Sequence, residues 1–156
     1  MQISVARATP IRYVVTATNN EEAMMSIGMV PALRLVVLGV SLWVAGVLAV
    51  HLASPAGVFS ERLATLLLAA TVPMAWGTVR LARRVAGLDG RQLIEGVALT
   101  SLPAALLDGV ALTWIPGLYA TDAADQRSVA AWLLWFLGTS LAIAAAMSRK
   151  RAAGRA

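Results

Sequence analysis

LIEGVALTSLPAALLDGVALTWI, residues Leu93 to Ile115, is an apolar run of membrane-spanning length with one carboxyl group, Asp108, well inside it. The hydrocarbon layer is crossed by about 20 mostly apolar residues rising 1.5 Å each. An Asp near the centre of such a helix opposes insertion by about 2.5–3.5 kcal/mol, whereas each Leu, Ile or Val favours it by about 0.3–0.6 kcal/mol. Leu93, Ile94, Val97, Leu99, Leu102, Leu106, Leu107, Val110, Leu112 and Ile115 therefore outweigh Asp108 with little to spare. The segment is expected to cross, with Asp108 turned toward protein or water and away from lipid.

The rest of the chain agrees. Of its 156 residues, 59% are hydrophobic and only 13% charged, about half the charge of an average soluble domain. Three more apolar segments, residues 35–53, 63–79 and 129–147, make the expected fold an all-α integral membrane bundle of four helices spanning residues 34–148. Ser54, Pro55 and Gly57 mark the first reversal of direction and Pro116 and Gly117 the last. Pro73 and Pro103 interrupt the backbone ladder of the second and third helices, freeing the carbonyls of Ala69 and Leu99. Residues 1–33 are polar and lack periodicity, so a loose tail is expected there. Met24, Met25 and Met29 stand just ahead of the first apolar run, as an internal translation start would. Residues 149–156 form a basic tail.

All but two of the 13 Lys and Arg residues fall on one side of this arrangement, in the amino-terminal tail, the loop holding Arg80, Arg83, Arg84 and Arg91, and the carboxyl-terminal tail. Only Arg62 and Arg127 lie on the other. Because basic residues are retained in the cytoplasm, both termini are expected inside. Trp114, Tyr119, Trp132 and Trp135 collect at the outer ends as an interfacial belt, with Trp76 at the inner end. The net charge of +5 is thus explained by topology and by anionic lipid heads, with Arg80, Arg83 and Arg84 as candidate lipid contacts, and does not call for nucleic acid.

The chain has no Cys and one His, which removes disulfides, thiolate sites and multi-His metal sites. There is no HExxH, no GxSxG and no phosphate-cradling glycine loop, so no catalytic residues, cofactor or metal are expected and the protein reads as non-enzymatic. What remains is an intramembrane polar site. Val97, Ser101, Ala104, Asp108, Ala111 and Ile115 follow helical spacing and form one stripe that is small and polar in its middle. His51, near the outer end of the first helix, is the candidate partner reaching toward Asp108. Glu95 lies about 140° round the helix from Asp108 and forms no dyad with it. Gly138, Ala142 and Ala146, like Ala45 and Ala49, are spaced for close approach of another helix, from a partner protein or a second copy. The two functions these features suggest are an accessory role through helix contacts, and proton-linked transport or sensing of a small apolar or cationic compound centred on Asp108.

LPAALLDGVALTWIPGLYA followed by AAWLLWFLG resembles a family of small four-span bacterial inner-membrane proteins. In that pattern a Leu-Asp pair follows a Pro in the third span, and a Pro-containing outer turn leads into a Trp-rich fourth span. Pro103, Leu107, Asp108, Pro116, Trp132 and Trp135 occupy those positions here. The resemblance covers residues 93–147 and implies the same four-span architecture in the inner membrane, without a known activity.

Overall fold

The computed structural model describes residues 27–59, 63–120 and 122–153, and these fold into four α-helices with no strand among them. They are α1 (Met29–Ala53), α2 (Ala64–Ala86), α3 (Leu93–Trp114) and α4 (Ala123–Ala153), with single 3-10 turns at Ser54–Ala56 and Pro116–Leu118. Each of the four is long and apolar enough to cross a membrane. The first 26 residues of the expected tail lie outside the described residues.

The apolar runs located the helices, and they fall within one residue of the end of α1, the start of α2 and both ends of α3, but they miss the start of α1, the end of α2 and both ends of α4. α1 starts at Met29, ahead of the apolar run at Leu35, because Gly28 caps it and Pro31 falls in the first turn, where no backbone N–H is needed. The arginines after residue 79 do not stop α2. They form its last turns, where cations oppose the helix dipole, and the helix closes at Gly87, whose φ of 65° is a left-handed conformation that glycine adopts without strain. α4 begins at Ala123 because Asp122 Oδ2 accepts the backbone N–H groups of Ala124 (2.9 Å) and Asp125 (3.3 Å). Before α3, Asp89 Oδ1 takes the N–H of Gln92 at 2.9 Å while Gln92 Oε1 takes that of Asp89 at 3.4 Å, a reciprocal cap. Hydropathy records the lipid-matched part of a helix, and capping chemistry sets where it stops.

α1 packs chiefly on α3 and α2 on α4, with α3 against α4 closing the bundle. Contacts of α1 with α3 and the turn after it advance in step along both segments: Gly39 meets Thr100 and Pro103, Trp43 meets Asp108, and His51 meets Leu118. These two helices therefore run in the same direction. They come together tightly at Gly39, where a Cβ would overlap the Thr100 carbonyl oxygen and lie 2.9 Å from Pro103 Cγ. Two apolar clusters fill the interior. One, at the end holding the arginines, joins Leu35, Val79, Ala82, Leu88, Leu93, Val97 and Ala144. The other, at the opposite end, joins Val47, Val50, Phe59, Ala111, Tyr119, Val129 and Trp132.

The surface is the reverse of a soluble protein's. Large apolar side chains such as Val37, Leu48, Leu66, Leu102, Leu106 and Leu134 point outward, while Thr71, Thr100 and Ser140 are buried. A soluble monomer does not leave apolar surface on every helix, whereas a bilayer solvates it.

Candidate functional site

Asp108 projects from α3 toward α1, and its Oδ1 accepts two hydrogen bonds from two other elements. Trp43 Nε1, from the middle of α1, donates at 2.8 Å. The Tyr119 hydroxyl, from the turn after α3, donates to the same oxygen. Local sequence explains how Tyr119 gets there. α3 ends at Trp114, Ile115 leaves helical geometry at φ −132° and ψ 56°, and the turn Pro116–Leu118 folds the chain back over the helix end. Tyr119 is then 1% exposed and packed within the apolar cluster at that end. Burial, and after it the hydrogen bond to and charge of the Asp108 carboxyl, push the Tyr119 phenol above its ordinary range, with Trp43 acting the other way. One carboxyl oxygen thus ties α1, α3 and the α3–α4 turn together.

The three residues of the expected polar site do not form one cluster of hydrogen bonds. His51 Nδ1 donates to the Leu118 carbonyl at 3.1 Å, which places it on the residue preceding Tyr119 and not on Asp108. Ser101 is half-buried two turns along α3 from Asp108. Among the stripe residues, Val97 and Ala111 are buried, Ser101, Ala104 and Asp108 half-buried, and Ile115 exposed, so the stripe turns inward except at its outer tip.

The expected aromatic belt divides in two. Trp114 and Trp135 are 72% and 50% exposed, as belt residues are, but Tyr119 and Trp132 are inside the bundle. Trp132 Nε1 donates to Thr71 Oγ1 at 2.8 Å, and Thr71 passes a hydrogen bond on to the Leu67 carbonyl at 2.8 Å. Trp132 also meets Phe59 edge-on at 6.0 Å between ring centres. Trp135 Nε1 donates to the Leu68 carbonyl at 3.2 Å. These bonds join α4 to α2 near Pro73, as the Asp108 pair joins α1 to α3. Sequence reading passed over Trp43 and Thr71. A usable signal was present for Trp43, the sole aromatic residue of the first apolar run, at nearly the depth in its helix that Asp108 has in α3.

At the opposite end, Arg80, Arg83 and Arg84 do lie around one feature, a cavity of about 520 Å³ that Gly87 and Leu88 complete. Among the described residues, no group of three or more His, Cys, Asp or Glu is placed to hold a metal. Comparisons with family models, with curated proteins and with solved structures found no match to this chain.

Proposed function

We propose that this is a non-enzymatic protein of a bacterial inner membrane, with both termini cytoplasmic, whose role is to bind other transmembrane helices as an accessory subunit. The observation that carries the reading is the direction of the small residues on α4. Gly138, Ala142 and Ala146 are all exposed on one face, as are Ala45 and Ala49 on α1, so these surfaces are not used up inside the bundle. In lipid there is little hydrophobic drive between helices, and small residues that let backbones approach are what association depends on. The bias of Lys and Arg supports the orientation, and the resemblance over residues 93–147 supports the bacterial inner membrane. The polar groups fit the same role: Trp43 and Tyr119 both bond to Asp108 Oδ1 and hold the helices in place, much as interhelical hydrogen bonds do in other bundles.

The test is association in the membrane. Ala142→Leu combined with Gly138→Leu, both on the outward face, is expected to lower energy transfer between labelled copies, or co-purification of a partner from its native membrane, by at least fivefold while the bundle stays folded. Unchanged association with both partners and copies would remove this reading.

A second reading is favoured by the other carboxyl oxygen. Only Oδ1 of the half-buried Asp108 accepts hydrogen bonds from the described residues, which leaves Oδ2 able to exchange a proton or meet a cationic compound in transport or sensing. Asp108→Asn keeps an acceptor oxygen for Trp43 and Tyr119 but cannot ionise. Under this reading it abolishes pH-driven flux in vesicles without unfolding the protein; under the first it changes neither.

A further inference from the structure

The cavity at the end of α2 has a chemistry unrelated to the helix-contact role. Its wall is made by Arg80, Arg83 and Arg84 with the closing residues Gly87 and Leu88, and its volume of about 520 Å³ is many times the ~10–15 Å³ that one water needs. We infer that it is a binding site for a phosphate-bearing anion, the headgroup of an anionic phospholipid at the membrane surface. The inference rests on the four-span membrane reading, which puts this end of α2 at the interface, but not on the proposed accessory role.

Each arginine is placed for it in a different way. Arg83 is half-buried, and its Nε donates to the Leu88 carbonyl at 3.3 Å, which fixes the guanidinium against the cavity wall. Arg80 lies over the Trp76 ring at 3.8 Å, a cation–π contact that holds its head beside an interfacial aromatic. Arg84 is exposed at the rim. None of these contacts uses a carboxylate, so the positive charge is not neutralised by them. The helix end itself opposes an anion with about half a negative charge, against a full positive charge from each of three arginines. The Arg83 carbonyl at this end is itself taken up by the N–H groups of Gly87 and Leu88. Guanidinium groups suit phosphate because their paired N–H donors match two of its oxygens at once. Gly87 adds no side chain to the lining, and a Cβ built there would meet nothing within 4 Å.

A lipid headgroup and free phosphate share this chemistry, and the experiment separates them. The full-length protein is placed in nanodiscs of phosphatidylcholine with a minority of phosphatidylglycerol, and lipid retained on release is measured by native mass spectrometry; inorganic phosphate is titrated in parallel in pure phosphatidylcholine. One basic residue near a membrane surface is worth about 1 kcal/mol, or about fivefold in affinity. Arg84→Gln is therefore expected to lower phosphatidylglycerol retention about fivefold, and Arg80→Gln with Arg84→Gln about 25-fold. Both variants leave the Arg83 bond to Leu88 intact, so neither removes the cap of α2. Arg91→Gln, an exposed arginine outside the cavity, is expected to lower retention clearly less than Arg84→Gln, since it shares only the general surface charge. Saturation by inorganic phosphate with no retained phosphatidylglycerol would support the same site with a soluble ligand. Equal losses from Arg91→Gln and Arg84→Gln, or no loss from the double variant, would overturn the site. Failure of the wild-type chain to insert into nanodiscs at all would instead contradict the four-span reading.

Discussion

Asp108 was legible in the sequence because a carboxyl inside an apolar span violates the composition around it, and the solvation cost required polar company. Which company was not legible. Whether His51 or Trp43 meets α3 depends on how α1 is rotated and how deeply it sits, and these are settled by close packing at Gly39, not by any local pattern. Tyr119 was read as a belt residue because its position just outside a span is where belts occur, yet the Pro116–Leu118 turn folds it inward. The pair has a measurable consequence. Tyr119→Phe removes one of two donors to the half-buried Asp108 carboxyl oxygen and is expected to lower stability by about 1–2 kcal/mol in detergent unfolding. Folded Tyr119 holds its proton to higher pH than the unfolded residue, whose ordinary value is about 10. Its contribution is thus complete below about pH 10 and is lost as pH rises toward the folded value. Wild-type stability should fall above about pH 10 more steeply than that of Tyr119→Phe, and parallel pH profiles would contradict the buried phenol.

At the scale of the helix, hydrophobic runs gave the existence and order of all four elements, since a bilayer demands length and apolarity from each. The outer reaches of α1, α2 and α4, and the contacts between helices, escaped for separate reasons. Capping by Asp122 and the left-handed Gly87 carry the helices beyond the lipid-matched region, and prolines at positions 73 and 103 leave α2 and α3 continuous. The small residue that lets α1 and α3 come together is Gly39, which no repeating motif marked. Gly39→Ala places a methyl group on the Thr100 carbonyl and Pro103, neither of which is a flexible side-chain end. It is expected to destabilise the bundle by about 1–3 kcal/mol. Gly46→Ala, in the same helix with nothing within 4 Å of the added carbon, is expected to be neutral or slightly stabilising. Similar unfolding midpoints for the two variants would contradict the α1–α3 approach.

The whole molecule is an apolar exterior around a core stitched by a few polar bonds, two of them from Trp43 and Tyr119 to Asp108 and one from Trp132 to Thr71. Such an object is stable only where lipid covers Val37, Leu66, Leu106 and Leu134, and the bundle places its arginine-rich cavity and its aromatic clusters at opposite ends. This architecture was the most legible feature of all, because solvation by lipid acts on composition summed over whole segments and does not depend on any single side-chain rotation. The lack of native cysteine makes its most direct test a clean one. Single cysteines at Ala56, Arg91 and Ala123 are probed in intact cells and in permeabilised cells with a membrane-impermeant maleimide. Four crossings with the basic end inside predict that Ala56→Cys and Ala123→Cys label from outside and Arg91→Cys only after permeabilisation. Labelling of all three from the same side would contradict the account.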